Sequence, residues 1–337
     1  MKKGLKRALI IIGSVVVLVG GFIGVCNIIP PKKVTENNLF LRKEGSTKPM
    51  LAAHRGGSLA NPENTLKAYK AAVNEFNIDI VESDIWMTKD EHLVYSHDKD
   101  IDRMSDVALF DDSKDSHLIS DYTLDELENF NFGYNFKDKQ GNYPYKDLVT
   151  KDQADRKQVL KDNDLQILEV DKLFEQFYTT NPDLMFIVEI KNGGELGFKA
   201  ATLLDELLTN KFPNYKDKVV VGTFHDEISK DLKENHPTIL RGASTGDATG
   251  FVVTQMFGVN IFNNDADFVC LQIPMSRPVS FINLNLAKKT YVKRAHRRNI
   301  AVQYWTINDA EDMKMLNELG CDCIMTDDPE LFNETFK

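Results

Sequence analysis

From residue 50 onward, short apolar runs rich in Val and Ile alternate with helix-length amphipathic segments. That alternation constrains the fold more than any other feature, because a strand followed by a helix and another strand favours a parallel sheet with helices packed over it. The runs are MLAAHRG (50–56), DIVESDIW (79–86), LMFIVEIK (184–191), KVVVGTF (218–224), TILRGAS (238–244), DFVCLQI (267–273), IAVQYWTI (300–307) and CDCIMTD (321–327). Eight strands predict a (β/α)8 barrel, which needs about 250 residues, with a doubly wound open sheet as the alternative. TLKAYKAAVNEF (65–76) and DAEDMKMLNELG (309–320) read as helices, the second ending on a C-terminal Gly.

The chain divides into unequal parts. Residues 1–7 are basic through Lys2, Lys3, Lys6 and Arg7, and 8–29 hold the uncharged run ALIIIGSVVVLVGGFIGVC. Such a run nearly crosses a hydrocarbon core of about 30 Å, and the preceding charges predict a cytoplasmic N-terminus with the remainder outside. A cleaved signal peptide is the rival reading, although no A-x-A site is evident. Residues 30–48 are expected to form a polar stalk, and 49–337 the barrel domain. Residues 98–165 form a charged insertion after the second strand, of which Pro144 to Asp164 is expected to be solvated and mobile.

With 41 Lys and Arg against 51 Asp and Glu, the net charge of −10 argues against a nucleic-acid binder. Four cysteines (26, 270, 321 and 323), with no C-x-x-C, make neither a disulfide framework nor a thiolate metal site.

Side chains alternate faces along a strand, so Glu82 and Asp84 share one face of the second run, and Ile187, Glu189 and Lys191 share one face of the third. If those faces line the barrel interior, bare carboxylates there are costly and raise each other's pKa, which a cation would relieve. Three carboxylates without thiolates favour Ca2+ or Mg2+ over zinc. His54 and Arg55 end the first strand at a Gly-Gly turn, where a guanidinium can grip phosphate oxygens in a fork. His97 follows LVYS, and two imidazoles titrating near neutrality suit an acid/base pair. Trp305 lies at another strand end as an apolar wall or a core residue, while His92, His117, His225, His236 and His296 read as structural. A competing pattern is Gly242-Ala243-Ser244-Thr245-Gly246, which matches G-x-S-x-G and would make a serine esterase with His296 as base and Asp265 or Asp267 between them. It leaves Glu82, Asp84, Glu189 and Lys191 without a role.

HRGGSLANPENT (54–65), ESDIWMTKD (82–90), LVYSHD (93–98), VEIK (188–191), YWTIND (304–309) and IMTDDP (324–329) together resemble the glycerophosphodiester phosphodiesterase family, in the same order over about 280 residues. The resemblance implies a TIM barrel with an insertion after the second strand. By position it makes His54 and His97 the acid/base pair, Arg55 a phosphate ligand, and Glu82, Asp84 and Glu189 the ligands of one divalent cation, Ca2+ or Mg2+. Lys191 would lie by the phosphate and Glu63 would support the site. The implied products are sn-glycerol 3-phosphate and an alcohol. A related lysophospholipase D or a lipid phosphodiesterase forming a cyclic phosphate is the alternative, and a degenerate barrel used only for binding is a further one.

Overall fold

The computed structural model describes residues 3–113, 115–259, 266–279 and 282–337. Among them the strands are β1 (Met50–Ala53), β2 (Ile80–Met87), β3 (Leu93–Tyr95), β4 (Met185–Ile190), β5 (Val219–Gly222), β6 (Leu240–Arg241), β7 (Cys270–Ile273), β8 (Ser276–Val279), β9 (Ile282–Asn285), β10 (Ala301–Tyr304) and β11 (Cys323–Thr326). Eight of them run parallel in the order β6-β5-β4-β2-β1-β11-β10-β7. The ring closes between β6 and β7, where Gly242 bridges Cys270 and Val269 N–H donates to Arg241 O. All eight expected runs contain a barrel strand, most of them shorter than the apolar text, although β2 runs one residue past it to Met87. The antiparallel strand β3 beside β2 and the β8–β9 hairpin are additions that alternation alone does not announce.

Period two decides what faces inward. Met50 and Ala52, Ile80, Ile187, Val220, Ala301, Cys323 and Met325 fill the barrel interior, while alternate residues such as Val81, Ile85, Phe186, Val188, Val221 and Val302 pack against the surrounding helices. Helix ends are set locally. Thr65 Oγ1 accepts from Ala68 N–H at the start of Leu66–Asn74, and Asp309 caps Ala310–Leu319, which ends at Gly320 with φ +83°.

The expected free stalk does not stand free. Asn38 donates to Val269 O (2.8 Å) and Asn299 O (2.7 Å), Val34 N–H donates to Arg298 O, and Arg42 N–H donates to Asp322 Oδ1. Those acceptors immediately precede β7, β10 and β11, so the segment is laced across the N-terminal end of the barrel. Phe40 is fully buried there against the interior cluster. The reason is packing: an open barrel end exposes Met50 and Ile80, and one aromatic ring covers them.

The insertion after β3 carries its own apolar cluster, including Ile101, Val107, Ile119, Leu127, Phe130 and Phe132. Its stretch from Pro144 to Asp164 is largely exposed, as the composition predicts, but it is pinned to the lobe at a few buried positions. Val149, Leu160 and Leu165 form a small buried cluster, and helix Arg156–Asp162 opens on Arg156, which is ion-paired in the interior with Asp106 and donates to Asn129 O and Thr150 O. The N-terminal helix Lys3–Ile28 is long and apolar enough to cross a membrane, a property it shares with signal sequences.

Candidate active site

The C-terminal ends of the barrel strands surround a cavity of about 240 Å3 lined by His54, Arg55, Glu82, Asp84, His97, Glu189, Lys191 and Trp305. Eight of the nine expected site residues thus meet in one place, although β1 ends at Ala53 and β4 begins only at Met185. The ninth, Glu63, stands behind them: its carboxylate pairs with Arg55 Nη1 at 3.3 Å and accepts from Arg103 Nη1 (2.9 Å) and Nη2 (2.7 Å).

The turn after β1 presents the first two residues. Arg55 has φ +53°, Gly56 +83° and Gly57 +85°, a left-handed succession that glycine adopts without the Cβ penalty. A Cβ on Gly56 would lie 2.8 Å from Ala68 Cβ, so the turn is also pressed against the first barrel helix. In this turn Arg55 N–H donates to Glu82 Oε2 (2.9 Å), and Arg55 Nε faces Asp84 Oδ2 at 3.5 Å.

Each imidazole is held by a carboxylate. His54 Nδ1 lies 2.7 Å from Asp327 Oδ1, and His97 Nδ1 lies 2.7 Å from Asp98 Oδ1. An ionised carboxylate only accepts, so both rings carry a proton on Nδ1 and leave Nε2 for chemistry. Burial, the largest influence on His54, opposes its charge, but Glu82, with Nε2 4.0 Å from its Oε2, and Asp327 outweigh it and raise the pKa. Asp327 is held down to about 2: burial pushes it up, but His54, Asn308 and Ser58 more than reverse this. Asp98 in turn accepts from Arg103 Nε (2.6 Å), so one arginine of the insertion ties the partner of His97 to Glu63 and, through it, to Arg55.

Glu82 and Asp84 are buried, and Glu189 nearly so. Lys191 Nζ lies between Asp84 Oδ1 (2.9 Å) and Glu189 Oε1 (2.8 Å). Desolvation raises the Glu82 pKa, and Glu189 is pushed up to about 7 by burial, with Lys191 opposing and Asp84 adding to it. For Lys191 burial lowers the pKa, but the two carboxylates prevail and raise it. With the ammonium between them, these side chains do not close into a cluster of three metal-ligating groups among the described residues. Their chemistry nevertheless fits a hard cation: three carboxylates, no thiolate, and a buried Asp84 Oδ2 that makes no hydrogen bond.

Sequence reasoning missed Asp327, Arg103 and Phe224. Phe224 is 57% exposed at the cavity rim, with its ring edge-on to Trp305 (centroids 6.3 Å apart) and 5.7 Å from Lys191 Nζ. Asp327 lies within the IMTDDP piece, but its contact with His54 spans 273 residues and has no local signature.

The serine alternative does not assemble. Ser244 is buried as the N-cap of helix Thr245–Met256, in a reciprocal capping box with Asp247. His296 is at the other end of the barrel, 2.8 Å from Asp322, and Asp267 pairs with Arg241. Asp265 lies outside the described residues. His92, His117 and His236 also bind carboxylates away from the cavity, and His225 Nε2 approaches Lys191 O.

Residues 54–331 match the model of the glycerophosphoryl diester phosphodiesterase family. A glycerophosphodiester phosphodiesterase of Caldanaerobacter subterraneus is 25% identical over 284 residues, covering 84% of this chain and 96% of that protein. The human lysophospholipase D GDPD1 is 28% identical over 300 residues, covering 82% of each. Among solved structures, a glycerophosphoryl diester phosphodiesterase domain from Mycobacterium tuberculosis superposes with a TM-score of 0.65 at 16% identity, covering 86% of this chain and 99% of that one. An Oleispira antarctica phosphodiesterase in complex with the product sn-glycerol-3-phosphate superposes with a TM-score of 0.60 at 21% identity, covering 86% and 97%. Barrel, closure and matched residues converge: the chain belongs to the glycerophosphoryl diester phosphodiesterase family and is a phosphodiester hydrolase.

Proposed function

We propose that the protein hydrolyses glycerophosphodiesters to sn-glycerol 3-phosphate and an alcohol by two-histidine acid/base catalysis. The observation that carries this reading is the pair His54 and His97, each fixed through Nδ1 to a carboxylate and both bordering one cavity with Arg55 and Lys191. Arg55 and Lys191 bind the anionic phosphodiester and spread its charge. One imidazole takes the proton of the attacking oxygen as its bond to phosphorus forms. The other gives a proton to the leaving alkoxide as its bond to phosphorus breaks, so hydrolysis leaves the pair with the same number of protons. Glu63 holds Arg55 in place, and Trp305 with Phe224 forms the apolar side of the site.

Glu82, Asp84 and Glu189 would hold one divalent cation, Ca2+ or Mg2+, whose charge offsets theirs and that of the phosphodiester. Their own contribution is to face the cavity from β2 and β4, a position fixed by strand alternation. The N-terminal helix is read as a single-pass anchor, with the basic residues before it cytoplasmic and the barrel outside.

Turnover of glycerophosphocholine, read as glycerol 3-phosphate, tests the reading with the full chain in detergent. Chelator should abolish release and Ca2+ or Mg2+ restore it, and His54→Ala and His97→Ala should each reduce kcat by about 10²- to 10⁴-fold. Near-normal turnover of either histidine variant would sink the two-histidine scheme.

A further inference from the structure

The N-terminal helix is bolted to one particular end of the barrel. Asn27 Nδ2 donates to Gly258 O (2.9 Å), Arg294 Nη2 donates to Asn27 Oδ1 (3.2 Å), Arg294 Nη1 donates to Gln255 O, and Arg297 Nη2 donates to Ile29 O (3.1 Å). Gly258 follows helix Thr245–Met256, whose N-cap Ser244 stands next to the cavity residue Ala243. Twelve residues at about 1.5 Å each put the far end of that helix about 18 Å from the mouth. Arg297 lies in the turn leading to β10, beside the Arg298 and Asn299 carbonyls that receive the laced segment. The attachment is therefore at the barrel's closed end.

The surface at the attachment is unusual. Val253 (46% exposed), Met256 (51%) and Phe257 (66%) are apolar and open to solvent beside the contact of Ile23 with Gly258. Lys32 and Lys293 are exposed nearby, on the segment and the helix that carry the bolt. Residues 4–21 of the N-terminal helix are exposed along their whole length. Cations beside exposed apolar side chains, continuous with a membrane-length helix, match the interface of an anionic bilayer, where apolar groups enter the acyl boundary and cations meet phosphate.

We propose that this closed end is a bilayer-docking surface, so that the catalytic mouth faces away from the membrane and takes its glycerophosphodiester from the aqueous side. The substrate class is then a water-soluble or polymeric diester, not a lysophospholipid seated in the enzyme's own bilayer. The proposal rests on the anchored, phosphodiesterase reading above and specifies its substrate.

The chain contains two tryptophans, Trp86 and Trp305, both at the cavity end; Trp86 Nε1 donates to His97 O. The full chain is reconstituted into phosphatidylcholine–phosphatidylglycerol vesicles, with or without acyl chains brominated near the headgroup. Wild-type emission should be equal in the two vesicles, whereas the emission added by Phe257→Trp should fall by about half in the brominated ones. Quenched wild-type tryptophans, or unquenched added emission from Phe257→Trp, would overturn the docking. The same vesicles should release choline from glycerophosphocholine in solution at least tenfold faster than from lysophosphatidylcholine in their own bilayer, and the reverse order would overturn the substrate class. Should the quenching pattern hold while neither diester is cleaved, the phosphodiesterase reading falls and the docking stands. Protein that fails to float with the vesicles would remove the anchor and the proposal together.

Discussion

Asp327→Asn tests how the site controls a proton. Asp327 accepts from His54 Nδ1, from Ser58 Oγ (2.7 Å) and from Asn308 Nδ2 (2.7 Å). An amide offers one acceptor oxygen where the carboxylate offers two. If that oxygen stays toward His54 and Ser58, the new NH2 faces the Asn308 NH2. If it turns toward Asn308, the new NH2 donates to His54 Nδ1 and moves the imidazole proton to Nε2, the wrong tautomer for a base. The Asn308 amide cannot easily turn to accommodate the change, because its oxygen already accepts from Thr326 Oγ1 and Asp327 N–H. The catalytic loss is bounded by what one acid/base group supplies, about 10²- to 10⁴-fold in kcat, or about 3–5 kcal/mol of barrier. Stability has a separate scale. The Asp327 pKa falls from 3.8 to about 2 with the side chain 20% exposed, which corresponds to about 2 kcal/mol. Because the folded pKa is depressed, this contribution is present above the unfolded value near 4 and is lost as pH falls through about 2. The assay is steady-state turnover of glycerophosphocholine at neutral pH beside a thermal melt of the same preparation. The expected result is kcat down at least a hundredfold with KM within a few fold and the protein still folded. Wild-type kcat in a folded Asp327→Asn protein would refute the argument that this carboxylate sets the His54 tautomer.

Arg103→Met cuts the tie between Asp98 and Glu63; since Arg103 is half exposed, each lost ion pair should cost at most about 1 kcal/mol of stability. The looser His97 and Arg55 should lower kcat/KM by roughly ten- to a hundredfold, with Arg103→Lys restoring part of it in the same kinetic assay. Ser244→Ala removes a helix cap and should cost about 1 kcal/mol in a thermal melt while leaving turnover within about twofold; loss of activity in a folded Ser244→Ala protein would revive a serine mechanism.

The features legible in the sequence are those with a short period. Glu82 and Asp84 declare a shared face because a strand repeats every two residues, and Glu189 with Lys191 does the same at the end of β4. HRGG announces its turn because glycines there permit φ near +83° and +85°. Asp327 gives no such sign, since what it does depends on β11 lying beside β1 in the closed ring. Arg103 sits in a charged insertion that reads as solvent-facing, yet its guanidinium spans two carboxylates from separate segments. Composition conceals the packing at Pro144–Asp164, where Val149 and Leu160, with the adjoining Leu165, make a small cluster inside a mostly polar stretch. The Leu39-Phe40-Leu41 triplet within 30–48 was the available signal that this segment packs, and its polar surroundings masked it.

The lacing of residues 34–42 under the barrel separates two boundaries that are commonly treated as one. The match to the family model opens at residue 54, whereas the contacts of the barrel's lacing segment open about twenty residues earlier, at Val34 and its bond to Arg298. A fragment cut at residue 54 would lose the Phe40 ring as well as β1, and even one beginning at residue 49 would leave a hole where that ring sat, a loss of the kind that costs about 3–5 kcal/mol in a core. The family model and the packing thus parse this polypeptide at different residues, and the piece between them, read alone as a tether, is the keystone under the arch.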